Sequence, residues 1–551
     1  MLTLMMNYAV SNESAFGYHV TNVVLHLINV VLIFYFIYLL SDKKWQVALI
    51  TAVFFGIHPM HVESVAWISE RKDVLYAAFF VGALIQYLKF LSGGKRKFYI
   101  YTLVLFALSL LSKPAAVVLP LTLLLIDCYR GRSLRQIKLW LEKVPFFALS
   151  LAMGVLTILV QTDRGAVANL ELIPLSRKFF FACYGLMMYL AKLLVPIKMT
   201  TFYPFPTADI TMPVTYYVAP VVVAVLAATT YFSHKKWSKS IGFGMLFFLI
   251  NIVLVLQIVS VGSAVMADRY TYLPYVGCFY LFGCGYYYLW RTNHPYLKLA
   301  TAALYVYVVL LTFLGYRQST TWHDSGTLWN HAINVWPSAH AYTNRGLQKK
   351  GEGDIEGSLK DYNTAIEMNT GDATAFTNRG NIYFAKGQLD LALQDYDKAF
   401  RLNPSDPKLF ANRGAVYSQR KQFDLAIADL SKAIELDPYY AEAIMNRALT
   451  YDAMQQPAKV LADLTRYLEL RPKEHGVYNL RALAYNKLGD MQKALDDLST
   501  AISMDGSSGM YYQNRSLINN AMGRKTEALS DAHAAQRLGG QFQPGYLESL
   551  Q

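Results

Sequence analysis

The chain has 551 residues, more than one ordinary domain holds. Its composition divides near residue 320, with long apolar runs before that point and a soluble, helical pattern after it. Residues 1–322 carry 26 Lys+Arg against 11 Asp+Glu, and residues 323–551 carry 25 against 27, so the net charge of +13 belongs to the apolar half. Basic loops beside membrane spans account for such an excess, and no motif points to nucleic acid. Cys128, Cys183, Cys278 and Cys284 lie in or beside apolar segments, without metal-binding spacing. The opening MLTLMMNYAV has no basic n-region, so no cleavable signal peptide is expected.

A bilayer core of about 30 Å needs about 20 apolar residues per helix. Candidate spans are 20–40, 73–91, 143–161, 177–195, 214–232, 241–260, 271–290 and 296–316, with shorter apolar pieces at 46–57, 98–111 and 114–127. Lys43-Lys44, the stretch from Lys89 to Lys97, the run from Arg130 to Lys143, and Lys235, Lys236 and Lys239 read as cytoplasmic. The opposite face then holds residues 58–73, the Lys113-Pro114 turn, residues 268–272 and everything after the last span. That face is extracytoplasmic: periplasm in a bacterial inner membrane, or lumen in the endoplasmic reticulum. Counting every piece as a crossing breaks parity between 143 and 214. Either 177–195 lies along the membrane or re-enters it, or one short pair does not span.

Eight of the eleven acidic residues of this half fall on the outer face: Glu13, Glu63, Glu70, Asp73, Asp163, Glu171, Asp209 and Asp268. The densest group runs from His58-Pro59-Met60-His61 through Glu63 and Trp67 to Glu70-Arg71-Lys72-Asp73. Ionisable groups this near membrane depth point to function; a polar loop with a proline turn and an interfacial Trp is the plainer alternative. His58 and His61 offer a divalent metal two imidazoles beside Glu63, but HxxH interrupted by proline is a weak pattern and no metal is assigned. In Asp268-Arg269-Tyr270-Thr271-Tyr272 the guanidinium and the tyrosines suit a phosphate; an aromatic belt with a snorkelling Arg is the alternative. Lys113, alone between two apolar pieces, either snorkels or meets a lipid phosphate.

The second half is periodic. Arg recurs every 34 residues at 345, 379, 413, 447, 481 and 515, and Asp at 361, 395, 429, 463, 497 and 531. A small residue follows each Arg: Gly346, Gly380, Gly414, Ala448, Ala482 and Ser516. This period is that of the tetratricopeptide helix-turn-helix, whose stacking buries a core that no single repeat has. Six repeats span 339–538, after a connecting helix at 322–338 and before a tail at 539–551. Each Arg is expected to pair with the Asp sixteen residues on. Five of the arginines are preceded by asparagine: Asn344, Asn378, Asn412, Asn446 and Asn514. Such a row of amides either grips an extended acceptor peptide, resembling the Asn ladder of the repeat-bearing O-GlcNAc transferase, or is simply solvated.

"LHLIN" at 25–29, "HPMHVESVAWISERKDVL" at 58–75, "SKP" at 112–114 and "DRYTYLP" at 268–274 together resemble the transmembrane and tetratricopeptide-repeat O-mannosyltransferase family, as a bacterial-type relative. The resemblance implies an all-α architecture, with a polytopic GT-C-like transmembrane bundle at 1–321 followed by a tetratricopeptide α-solenoid. It implies transfer of a sugar, mannose by family expectation, from a polyprenyl-phosphate donor to protein Ser/Thr outside the cytoplasm, with the repeats binding acceptor or partner proteins. In that reading Glu63 and Asp73 are candidate catalytic carboxylates, with His58 and His61 shaping the site. Arg71, Lys113 and Arg269, with Tyr270 and Tyr272, contact the donor phosphate. Arg71 and Asp73 pairing with each other is the alternative. The family's acidic first external loop lies upstream of the stretch matched by LTLMMNYAV and GYHVTNVVLHLIN, so this sequence is expected to lack the first helix and first loop. Two other readings stay open: a catalytically incomplete, membrane-anchored repeat scaffold, and a GT-C relative acting on a glycan or lipid.

Overall fold

The computed structural model describes residues 2–12, 14–163, 174–206, 212–236, 239–256 and 264–551. Of the acidic residues named above, Glu13, Glu171 and Asp209 lie outside the described residues, as does the end of the 241–260 span. The chain is helical and forms two units, residues 1–341 and 342–551.

The first unit contains α1 (Leu2–Ser11), α2 (Ala15–Leu40), α3 (Trp45–Ile57), α4 (Val62–Ala66), α5 (Arg71–Gly93), α6 (Arg96–Ser112), α7 (Leu119–Tyr129), α8 (Ile137–Leu141), α9 (Val144–Asp163), α10 (Leu175–Leu194), α11 (Val214–Lys236), α12 (Lys239–Ile252), α13 (Tyr275–Arg291), α14 (Leu297–Thr320) and α15 (Ser325–Val335). Among the described residues four helices are long and apolar enough to cross a membrane: α2, the stretch Ile68–Gly93, α11 and α14. The pair Trp45–Ile57 and Pro59–Ala66, bent by 57°, makes a fifth if taken as one broken span. The other apolar pieces fall short for local reasons. α6 opens on Arg96-Lys97, and α10 carries Arg177, Lys178 and Lys192. The bend after α3 follows from Pro59, which has no N–H to donate and holds His58 extended at φ −69°, ψ 126°. His58 Nδ1 then accepts the Met60 N–H and caps the next turn.

Helices in an apolar solvent pack closely only where side chains are small. A Cβ on Gly277 of α13 would fall 2.3 Å from the Gly244 carbonyl oxygen of α12, and one on Gly283 would fall 2.7 Å from that of Val47 on α3. α10 packs against α11. Near its start the Phe181 ring is 5.1 Å from that of Phe205, two residues beyond Tyr203, which bonds Asp268. Near its finish the Leu193 carbonyl accepts from His58. Between them Tyr189 exchanges hydrogen bonds with the Ala267 backbone. α10 thus touches the elements that carry His58 and Asp268. A short antiparallel ladder, β1 (Tyr203–Pro204) with β2 (Ala264–Met266), runs alongside.

In the second unit twelve helices alternate from α16 (Ala339–Gly351) to α27 (Lys525–Arg537), followed by α28 (Tyr546–Leu550). The turn inside each repeat needs one left-handed residue, and these recur at the same 34-residue spacing: Gly353, Gly387, Lys421, Gln455, Gly489 and Gly523. The small-residue column lies where the two helices of a repeat touch. A Cβ on Gly346 would meet the Tyr362 ring at 2.7 Å, one on Gly380 the Tyr396 ring at 2.7 Å, and one on Gly414 the Leu430 side chain at 2.8 Å.

The Arg and Asp columns pair in all six repeats, each guanidinium presenting Nε and a terminal nitrogen to the two carboxylate oxygens. For Arg379–Asp395 the distances are 2.8 and 2.7 Å, and for Arg447–Asp463 2.9 and 2.7 Å. The other terminal nitrogen reaches sixteen residues back, to Asn363 from Arg379, Asp397 from Arg413, Ser431 from Arg447 and Ser499 from Arg515. In these four repeats one arginine therefore ties three consecutive helices.

Candidate functional site

The charged site sits where α5 begins. Glu63 on α4, Glu70 on the turn before α5, and Asp73 in its first turn bring three carboxylates together, all nearly fully buried. Burial of an anion demands partners, and these come from distant sequence. Arg269 gives Glu63 both its backbone N–H, 2.9 Å from Oε2, and a guanidinium nitrogen to Oε1. Lys113 Nζ bonds Asp73 Oδ1, and the Ser64 hydroxyl donates to Oδ2 at 3.2 Å. Glu70 Oε1 lies 3.2 Å from Lys72 Nζ and 3.6 Å from Arg269 Nε.

The cations stand closer to solvent than the carboxylates behind them. The side chains of Lys113 and Arg269 are 18% and 19% exposed, against 2–4% for Glu63, Glu70 and Asp73. The Arg269 guanidinium lies 5.3 Å from the Trp67 ring centre and 5.0 Å from that of Tyr270, and Lys113 Nζ lies 5.8 Å from the Tyr270 ring. Burial opposes both positive charges. Glu63, with Tyr270 and Glu70, nevertheless raises the Arg269 pKa above its usual value, and Asp73 and Glu70 do the same for Lys113. Asp268 accepts the Tyr203 hydroxyl at 2.8 Å. Burial pushes its carboxyl up to about 6, against the pull of Lys192, that hydrogen bond and Arg269.

Lys113, Arg269 and Tyr270 therefore share one face with Glu63, Glu70 and Asp73. Other expected residues lie elsewhere. Among the described residues Arg71 pairs with no carboxylate. It is buried, donating to Asn22 Oδ1 at 2.9 Å, to the Thr3 and Tyr18 carbonyls at 3.0 Å each, and to Asn7 Oδ1. Its partners lie in α1 and α2, where no local pattern signals them. Tyr272 is equally withdrawn: its hydroxyl accepts from Asn29 at 3.1 Å and lies 2.8 Å from His26 Nδ1. His58 and His61 sit in an aromatic cluster, 5.3 Å from Tyr275 and 5.1 Å from Tyr272 between ring centres. His58 donates from Nε2 to Leu193, and His61 Nδ1 bonds the Phe55 carbonyl at 2.8 Å. Among the described residues no group of three His, Cys, Asp or Glu is placed to hold a metal ion.

Sequence reading missed Glu70 as a distinct group, and the scaffold of His26, Asn22, Asn29 and Tyr203. The polar residues of "LHLIN" on a 26-residue apolar helix were the available signal, since mid-span polar groups need partners. Beneath α10 lies an apolar cavity of about 510 Å³, lined among others by Leu186, Leu190, Val223, Phe243 and Leu249.

In the repeats Asn344, Asn378, Asn412, Asn446 and Asn514 are all half-buried. Asn412 donates to Asn381 at 3.0 Å and Asn514 to Asn479 at 2.7 Å, so at these two positions amides from successive repeats join in pairs. Asn344 holds the same place in the first repeat, on α16 directly before Arg345.

Comparison with known proteins gives residues 380–420 as a TPR repeat, and 407–440 and 475–508 as tetratricopeptide repeats. Protein O-mannosyl-transferase F38B6.6 of Caenorhabditis elegans is 25% identical over 379 residues, 67% of this chain. The chain is similar to this protein O-mannosyl-transferase over two thirds of its own length. The human protein O-mannosyl-transferase TMTC1 is 32% identical over 94 residues, 17% of this chain and 11% of its own length. The chain spans about half of the worm protein, 53% of its length. A solved tetratricopeptide repeat protein from Parabacteroides merdae aligns with 48% of the chain and 97% of its own, at 19% identity and a TM-score of 0.31.

Proposed function

We propose that the protein is a membrane glycosyltransferase that moves a sugar, mannose by the relatives' names, from a polyprenyl-phosphate donor to Ser/Thr hydroxyls of proteins on the extracytoplasmic face. The observation that carries this reading is the pair of part-exposed cations, Lys113 and Arg269, held forward by buried carboxylates at one end of a helical membrane bundle. A lipid-borne phosphate arrives at the membrane surface, and fixed cations there stabilise the charge that grows on it as the sugar leaves. A carboxylate beside them takes the proton of the attacking hydroxyl. The apolar cavity under α10 offers room for part of the lipid tail. The repeats, with their Asn row, hold the acceptor chain on the same side of the membrane.

The test is transfer of labelled mannose from a polyprenyl-phosphate donor to a Ser/Thr-rich polypeptide by the purified chain in lipid nanodiscs. Transfer that disappears in Arg269→Ala and Lys113→Ala supports the reading. Polypeptide binding through the repeats without any transfer would make the protein a membrane-anchored scaffold instead.

A further inference from the structure

The carboxylates at the head of α5 are not equally engaged. Glu63 has a donor on each oxygen, and so does Asp73. Glu70 does not: its Oε1 is held at 3.2 and 3.6 Å by Lys72 and Arg269, and its buried Oε2 has no partner among the described residues. The other end of the same helix shows what a purely structural buried carboxylate looks like. There, about 21 Å along α5 from Asp73, Asp127 takes Tyr87 at 2.7 Å, Arg132 at 2.8 Å and Lys143 at 2.8 Å. A buried acceptor left unbonded costs about 1–3 kcal/mol, more when charged, so folding alone does not explain Glu70.

Its neighbours define what would complete it. Within the same cluster stand the guanidinium of Arg269, stacked on Trp67 and Tyr270, and the ammonium of Lys113, both part-exposed. A free carboxylate oxygen beside two forward-facing cations suits a hydroxyl brought up against a phosphate ester. We propose that Glu70 is the carboxylate that receives the acceptor hydroxyl's proton, an assignment that rests on the transfer reaction proposed above. In that step the Ser/Thr oxygen bonds the anomeric carbon. The bond from that carbon to the phosphate oxygen breaks, and its electron pair leaves with the polyprenyl phosphate, next to Arg269 and Lys113. The hydroxyl proton passes to Glu70 and from there to water. Glu63 and Asp73 are positioning residues, fixing Arg269 and Lys113.

The experiment compares Glu70→Gln, Glu70→Asp and Glu63→Gln in nanodiscs for mannose transfer, donor KM, pH–rate profile and melting temperature. Glu70→Gln is expected to lower kcat by about 100- to 10,000-fold, with donor KM nearly unchanged, a melting temperature at or above the parent's, and loss of the acidic limb of the profile. Glu70→Asp, which keeps the charge, is expected to recover part of kcat. Transfer by the parent and by Glu70→Gln alike would overturn the assignment alone. So would a Glu70→Gln melting loss as large as that of Glu63→Gln, with Glu70→Asp recovering no transfer. No transfer by the parent chain would overturn the reaction and the assignment together.

Discussion

Both units bury Arg–carboxylate pairs, but the pairs obey different rules. In the repeats each guanidinium of the Arg column meets a carboxylate sixteen residues on, with the same two-pronged geometry six times. In the membrane unit the partners are irregular and remote: 206 residues separate Glu63 from Arg269, and 40 separate Asp73 from Lys113. A periodic pair is an architectural device, because selection for one reaction does not act identically on six copies. A cluster assembled from distant segments, with one oxygen of Glu70 left without a donor among the described residues, is where chemistry belongs.

Mutations sharpen that contrast. The largest effect is expected from Arg269→Met, which leaves Glu63 buried without its guanidinium at a cost of about 3–5 kcal/mol. Thermal unfolding in detergent should show it, and Arg269→Met with Glu63→Leu should recover much of the loss. Asp429→Ala in the repeats is expected to cost less, about 1–3 kcal/mol, because Arg413 is 18% exposed and keeps some water. Hydrogen exchange across residues 407–436 reads this locally, and adding Arg413→Ala should bring no further loss. A double variant no more stable than the sum of the two single losses would break the pairing argument.

Smaller effects follow from backbone and pH. Lys421 and Gln455 occupy left-handed turns that the other repeats fill with glycine, at φ +60° and +55°. Lys421→Gly is expected to stabilise by about 0.5–1 kcal/mol, visible as slower exchange in the flanking helices. Asp361 is desolvated by burial, but Arg345 and Lys349 outweigh that and hold its carboxyl below the ordinary 3.8. Its contribution to stability is therefore present above 3.8 and lost as pH falls through the lower native value. Asp361→Asn should flatten the repeat unit's acid unfolding curve. The gentlest expected change is in ligand binding: Asn378→Ala, Asn412→Ala and Asn446→Ala together should weaken binding of an extended polypeptide, measured by anisotropy, without altering the melt.

The same contrast explains what the sequence makes legible. A 34-residue period exposes the repeats, the small-residue column and the Arg–Asp register, because one geometry is written six times. Lys113, Arg269 and Tyr270 were recognisable as polar residues in an apolar half, and the structure gathers them on one face. The capture of Arg71 by Asn7, Thr3, Tyr18 and Asn22, and the withdrawal of Tyr272 onto His26 and Asn29, were not legible, since no local spacing encodes a partner on another helix. Glu70 was hidden for a related reason. What sets it apart from Glu63 is a missing hydrogen bond, and that becomes visible only once every other donor has a position. The contacts of α10 were not legible either: Tyr189 meets Ala267 and Leu193 meets His58 across 78 and 135 residues.

The separation of Glu63 from Arg269 also sets a schedule for making the protein. At about 5–20 residues per second, the ribosome needs roughly 10–40 s to add the 206 residues between them. Through that interval Glu63 exists without the arginine that partners it in the finished protein. The head of α5 is therefore finished late, when residues 264–272 arrive and seat Arg269. Nascent chains stalled before residue 269 should leave the 58–73 segment open to protease, and chains stalled well beyond it should protect it.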